Sequence, residues 1–335
     1  MTKKKLISYA VNLVLVLALY GVLGSLISSG AINRYYGGII TMVCINIILT
    51  VSLNLASGFL GQLVLGHAGF MSVGAYAASL FTMYSGLPIA VSFPIALVLG
   101  GLVAALFGVI IGVPALRLKG DYLAIITMGF GEIIRVLILA MPFTGGARGL
   151  RGIPSMVAKG SSANPQLVTF SYVFFIAVLT VFVIFSFIKS RHGRAVIAIR
   201  EDEIAAEASG INTTYYKLLA FILAAFFAGI AGGLYAHHIG VLNPAKFDFN
   251  YSVEILVMVV LGGMGSITGS VISATVLTIL PELLRQFSDY RMLAYSIILI
   301  VVMLFKPSGL LGQHEISLKK TIERFMVKRE APKEG

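Results

Sequence analysis

An all-α, polytopic membrane protein is the fold class this sequence predicts, on three observations. Of its 335 residues, 58% are hydrophobic and only 12% are charged, against about 25% charged in a soluble globular chain. Apolar runs of the roughly 20 residues that cross hydrocarbon recur from one end to the other. The runs are too long and too uniformly apolar for barrel strands, which leaves the helix as the element that satisfies its own backbone in lipid.

The candidate spans are 6–28, 38–57, 62–83, 88–113, 122–141, 168–188, 215–236, 252–284 (broken by glycines) and 292–305. The opening MTKKK carries the charge of a signal peptide. The apolar stretch behind it is too long for an h-region and no small-x-small site follows, so a retained first span is expected. Lysine and arginine placement sets the orientation. Lys3, Lys4 and Lys5 hold the N-terminus in the cytoplasm, and Lys319, Lys320, Arg324, Lys328 and Arg329 hold the C-terminus there. Counting forward, Arg117 and Lys119 fall inside, as does the block Lys189, Arg191, Arg194 and Arg200. Both ends inside require an even number of crossings: about ten if 252–284 crosses twice, about eight if it makes one re-entrant turn and one crossing. One loop departs from the charge rule. TGGARGLRGIPSMVAKG (144–160) should lie outside, yet carries Arg148, Arg151, Lys159 and no acid; it is a solvated loop or a docking or substrate-facing surface.

Composition also excludes. The net charge of +11 sits at span ends and forms no aromatic-interleaved basic patch, so nucleic acid is not an expected partner. Cys44 is the single cysteine, which rules out an intrachain disulfide.

Four segments carry the chemistry. In GQLVLGHAGFMSVGAY (61–76), a helix would place Gln62, Gly66, Gly69 and Val73 on one face, with His67, Met71 and Gly74 beside it. Glycines on one face let a second backbone approach closely in lipid, and the polar groups must then face protein or a wet cavity. No second His, Cys or acid stands at ligand spacing from His67, so no metal is expected. In LGGMGSITGS (261–270), Gly262, Gly263, Gly265 and Gly269 break an apolar run, and Ser266 or Thr268 is placed to cap a new helix. A broken helix at bilayer depth is tolerated where protein or water lines it, and such breaks point to transporters. The GxxxxGK[ST] pattern is absent, so no ATP is bound by that route and any ATP energy must come from another subunit.

In MGFGEIIR (128–135), Glu132 lies eleven residues past Asp121, near mid-membrane at about 1.5 Å per residue. Arg135 is three residues on, and because either charge alone costs roughly 2.5–3.5 kcal/mol in a span, the two should pair or face a cavity. Finally, SRHGRAVIAIREDEIAAEASGINTTYYK (190–217) holds a short helix after Gly193, with Ala195, Ile199, Glu203 and Ala206 on one side and Gly210 as its stop signal. Its mixed charges suit a soluble partner better than anionic lipid. His237 and His238, at the outer end of the seventh span, read as interfacial residues.

Together these segments resemble the membrane permease of branched-chain amino-acid ABC importers, the LivM-type partner of a two-permease pair. NLASGFLGQLVLGHAGFMSVGAY (54–76), RLKGDYLAIITMGFGEIIR (117–135), TGGARGLRGIP (144–154), GRAVIAIREDEIAAEASGIN (193–212), LGGMGSITGS and KPSGLLG (306–312) carry the likeness, which runs from about residue 46 to 312. The resemblance implies a permease domain over 1–312 and a cytoplasmic basic tail over 313–335. The subunit would sit in a bacterial cell membrane and import branched-chain (aliphatic) amino acids. Its implied partners are a second permease as a hetero-dimer, two cytoplasmic ABC ATPases that bind the ATP, and an extracytoplasmic binding protein. Arg200, Glu201, Asp202, Ala205, Ala206 and Gly210 would belong to a coupling helix at about 193–210, although the wording departs from the EAA loop of other ABC importers. Related permeases carry urea, short amides or sugars and nucleosides. The substrate path is expected along Gln62, Gly66, His67, Gly69, Gly74, Glu132, Gly262, Gly263, Gly265 and Ser266. Two rivals differ in class: a stand-alone secondary transporter, and an intramembrane hydrolase with Ser266 as nucleophile and His67 or His237 as base, for which no local pattern supplies the required geometry.

Overall fold

The computed structural model describes residues 3–118, 120–157, 164–285, 290–306 and 309–312. Lys119, Lys159 and the basic tail at 313–335 lie outside the described residues. Twelve α-helices follow one another among the described residues: α1 Lys3–Ser28, α2 Arg34–Asn54, α3 His67–Tyr84, α4 Ile89–Ala115, α5 Asp121–Ala140, α6 Pro165–Lys189, α7 Arg191–Glu201, α8 Glu203–Ala208, α9 Thr213–Ile239, α10 Phe249–Gly262, α11 Ile267–Leu283 and α12 Arg291–Phe305. Among the described residues, five stretches are long and apolar enough to cross a membrane: Arg34–Phe59, Ile89–Ala115, Asp121–Ala140, Pro165–Lys189 and Thr213–Ile239. The all-helical, multi-pass reading stands.

Local chemistry sets the helix ends. Asn33, Asn164, Asn212 and Asp248 each accept a backbone N–H as N-caps of α2, α6, α9 and α10, and Pro165 opens α6 at the first position, where no N–H is needed. Along α4, Val91, Ile95, Val98, Leu102 and Leu106 stand exposed at spacings of three and four. Such a stripe would be costly in water and belongs against lipid or another membrane subunit.

Helices α3, α4 and α9 form the tightest part of the bundle because small residues let their backbones touch. A Cβ on Gly74 would collide with the backbone of Gly229, and one on Gly229 would meet the Ala104 side chain and the Gly100 carbonyl. Helix α2 lies centrally, with Ile45, Ile48, Leu49, Val51 and Leu53 fully or almost fully buried. Helix α1 leans on α6, where Tyr20 rests on Phe170, Phe174 and Phe175 and its hydroxyl bonds Ser171 Oγ at 2.9 Å.

The broken 252–284 region is a helical hairpin. Gly262 packs on Gly269, and Ser273 Oγ donates to the Met258 carbonyl, so α10 and α11 run antiparallel around a tip at 263–266. At 14 and 17 residues the arms reach about 21 and 26 Å, short of the roughly 30 Å hydrocarbon core. At the loop between α5 and α6, strand β1 Leu150–Arg151 pairs antiparallel with β2 Val241–Leu242 and ties that loop to the α9–α10 connection. An open cavity of about 900 Å³ there includes Arg148 and Arg151 in its lining.

Two sequence expectations are corrected. The 62–83 span does not begin as a helix at Gln62. After α2 the chain passes through a π-helical turn, Leu55–Phe59, reverses at Gly61 with φ +76°, and stays non-helical until His67. Gln62 and Gly66 therefore share no helix face with Gly69 and Val73. The amphipathic helix at 193–210 is likewise two helices. Its N-cap is Ser190, ahead of Gly193, and Asp202 interrupts it in extended conformation, its carboxylate accepting from the N–H groups of Ile204 and Ala205 at 2.9 and 3.0 Å. A short acid that bonds local backbone favours a new N-cap over a helix interior.

Candidate functional site: a junction of broken segments

The predicted path residues fall into two groups. The first lies where α3 and α10 begin against the middle of α5. Thr127 Oγ1 accepts from the Leu65 N–H at 3.1 Å, and Ser252 Oγ accepts from the Ala68 N–H at 3.1 Å. Gly66 and Gly69 lie against Thr127 and Gly131 so closely that a Cβ on Gly66 would strike the Thr127 carbonyl. Gly74 is buried against Gly229 of α9. These glycines serve close backbone contact, although Gly66 lies ahead of the helix that carries Gly69 and Gly74. His67 is fully buried and shares a 3.0 Å hydrogen bond with Ser52 Oγ of α2.

Glu132 and Arg135 pair at 2.7 Å, as the i,i+3 spacing requires. The second carboxylate oxygen accepts from the Phe249 N–H at 3.2 Å. One mid-span acid thus neutralises a cation and satisfies an orphan donor at the start of α10, where the helix dipole also favours negative charge.

The second group meets at one end of the bundle, where four distant segments converge: the end of α2, the C-terminal part of α7, the hairpin tip, and residues 309–312. Asn54, fully buried, carries the convergence. Its Oδ1 accepts from the Gly265 N–H at 2.9 Å, and its Nδ2 donates to the Ser266 carbonyl at 2.9 Å and to Ser270 Oγ at 2.8 Å. Ser266 caps α11, its Oγ accepting from the Gly269 N–H at 3.0 Å. The KPSGLLG segment closes the other side: Leu310 N–H donates to the Leu261 carbonyl at 2.7 Å, and Gly309 fits against Gly263.

Arg200 enters this junction from α7. Its Nη1 donates to the Gly58 carbonyl at 2.9 Å, its stem covers Gly61, and its guanidinium lies beside Gly265. It was expected on a partner-facing surface with its neighbours, but it turns inward because the π turn leaves the Gly58 carbonyl in need of a donor. Ala206 also packs inward. Glu201, Asp202, Ala205 and Gly210 are exposed, as is Ile204 at 75%. Beneath that face, Lys217 of α9, with a side chain only 4% exposed, pairs with Glu203 at 2.7 Å and pins α8.

The two histidines near the end of α9 are also corrected. His237 is buried, bonded to Thr82 Oγ1 at 2.9 Å and the Gly233 carbonyl at 2.8 Å, and His238 is half-buried. His237 lies between Thr82 of α3 and Phe93 of α4, whereas His238 lies near Gly38 of α2. Asn54 was missed as a site residue; a polar residue ending an apolar run just before a glycine-rich stretch was the available signal.

Lipid-length helices enclosing a glycine-broken hairpin and a partly unwound segment make a multi-pass membrane protein of the kind found among transporters. Residues 35–306 match the family described as "Branched-chain amino acid transport system / permease component", and the chain belongs to that family. It is 39% identical over 318 residues to the "High-affinity branched-chain amino acid transport system permease protein LivM" of Salmonella typhimurium, covering 88% of this chain and 73% of that one. The Escherichia coli K12 protein of the same name is 39% identical over 312 residues, 86% of this chain and 72% of the relative. The E. coli K12 permease LivH is 36% identical over 140 residues, 41% of this chain and 44% of the relative.

Proposed function

We propose that the chain is the LivM-type translocating subunit of an ATP-driven importer that carries branched-chain (aliphatic) amino acids into the cytoplasm. The single observation that carries the ATP-driven reading is the α7–α8 pair. A short helix is clamped to the bundle by the Glu203–Lys217 pair, and its opposite face presents a 75% exposed isoleucine beside an exposed alanine. A rigid base beneath an apolar, small-residue face suits docking of a soluble protein. ATPase subunits dock there on the cytoplasmic side, with both chain termini on that side of a bacterial inner membrane. A second permease completes the path, since relatives named as two distinct permeases both resemble this chain. A binding protein delivers substrate to the opposite face, and this chain binds no cofactor of its own.

Substrate passes between the α3–α5–α10 crossing and the hairpin tip by alternating access, so Gln62, His67, Glu132, Gly263, Gly265 and Ser266 border the route. The test is mild extraction of the tagged chain followed by identification of its partners and reconstitution. An ATPase that co-purifies and drives uptake of labelled leucine, isoleucine or valine supports the reading. The polypeptide isolated alone, or one transporting in ATP-free vesicles, would replace it with a secondary transporter.

A further inference from the structure

The resemblance assigns Arg200 only to a coupling surface, whereas the structure half-buries it in a junction between remote segments, its Nε also 3.6 Å from Glu201 Oε1. Three observations meet there. The Gly58 carbonyl, freed by the π turn, has the Arg200 Nη1 as its side-chain donor at 2.9 Å. Gly61, at φ +76°, leaves room for the arginine stem: a Cβ would sit 2.9 Å from Cγ. Gly265, at φ +87° on the hairpin tip, leaves room for the head group: a Cβ would sit 2.8 Å from Nη1. One guanidinium therefore lies against both the π turn and the hairpin tip, and Asn54, at the end of α2, joins the same two segments through the Gly265 N–H.

We infer that Arg200 is a positioning residue that links the α7–α8 surface to the π turn of α2 and the hairpin tip, so that displacement of α7–α8 moves both broken segments together. A planar cation bonded to a carbonyl and seated between glycines holds direction as well as distance. The segments it joins are the two irregular ones at this junction: a π turn, whose hydrogen bonds run i to i+5, and a tip built on positive-φ glycines. A shift of α7 would be carried through the stem to Gly61 and through the head group to Gly58 and Gly265, where an isolated surface helix would slide. The inference rests on the proposed docking of an ATPase at α7–α8.

The experiment uses the complete complex of both permeases and the ATPases, reconstituted with the binding protein, in three forms: unaltered, Arg200→Met and Arg200→Lys. Methionine keeps much of the stem and loses the donor; lysine keeps a donor and the charge. ATPase co-purification, hydrolysis rate and uptake are read on the same preparations. Both variants should retain the ATPase, with hydrolysis within about twofold of the unaltered complex, while uptake per ATP in Arg200→Met falls roughly tenfold or more, as loss of a charge-assisted hydrogen bond would bring. Arg200→Lys should recover most of that ratio. An unchanged ratio in Arg200→Met overturns the inference alone, and loss of the ATPase from both variants overturns it too, by making Arg200 a folding residue. Absence of an ATPase from the unaltered complex instead removes the reading of the α7–α8 surface.

Discussion

Replacing Asn54 with alanine removes three hydrogen bonds between the end of α2 and the hairpin: those with Gly265 N, Ser266 O and Ser270 Oγ. Polar contacts between helices in membranes contribute about 0.6 kcal/mol on average and up to about 1.7, so the loss sums to roughly 2–5 kcal/mol. At about 2 °C per kcal/mol for a chain of this size, the unfolding transition should fall by roughly 4–10 °C. The chain supplies its own reporter, because Cys44 is the single cysteine and is buried. A thiol-reactive fluorogenic dye therefore reads exposure of one site as the detergent-solubilised protein is heated. Ser270→Ala removes one of the three Asn54 bonds and a bond of its own to the Ser266 carbonyl, so its shift should be the smaller one. A transition within about 1 °C of the unaltered protein for Asn54→Ala would refute the claim that this amide holds the two segments together.

Four further outcomes follow from the packing. Gly74→Leu should yield no monodisperse protein, because the side chain has only the Gly229 backbone to enter, whereas Gly129→Leu, with nothing within 4 Å of its Cβ, should purify normally; size-exclusion profiles of the pair check this, and equal behaviour would dismiss the close-approach argument. Ile204→Glu should release the ATPase on purification without lowering the amount of the chain in the membrane, since the side chain is 75% exposed, as a pull-down would show. Lys217→Met removes the cation that pins Glu203, and proteolysis should then cut more readily at 201–210 while the spans stay intact. Arg135→Ala leaves the Glu132 carboxylate without its cation inside a span, which costs roughly 2–3 kcal/mol, while Glu132 keeps its bond to Phe249 N; a fall well under 1 kcal/mol by the same dye assay would mean that the pair faces water rather than lipid.

How much was legible depends on the range of the interaction. The spans at 88–113, 122–141, 168–188 and 215–236 are recovered as α4, α5, α6 and α9 because an uninterrupted apolar run admits few other structures in lipid. The Glu132–Arg135 pair and the Ser266 cap were equally readable, being contacts within three residues of chain. The start of α3 was not. Residues 62–66 have an apolar pattern that suits a helix, yet they are non-helical and the Leu65 N–H is taken up by Thr127, far along the chain. Arg200 shows the same limit: the residues that follow it, Glu201 and Asp202, are exposed, and its bond to the Gly58 carbonyl reaches across the junction.

Hydropathy, charge placement and glycine spacing thus determined by themselves a multi-pass helical membrane protein with one glycine-broken run and a short amphipathic segment between spans, because water and lipid act on each residue wherever its neighbours lie. The tertiary structure alone decided that the π turn, the hairpin tip and α7 meet at one junction under Asn54 and Arg200. Backbone groups left open by a π turn or a glycine tip are satisfied by whichever side chain the fold brings within 3 Å, and that partner is chosen by packing across more than a hundred residues of intervening chain.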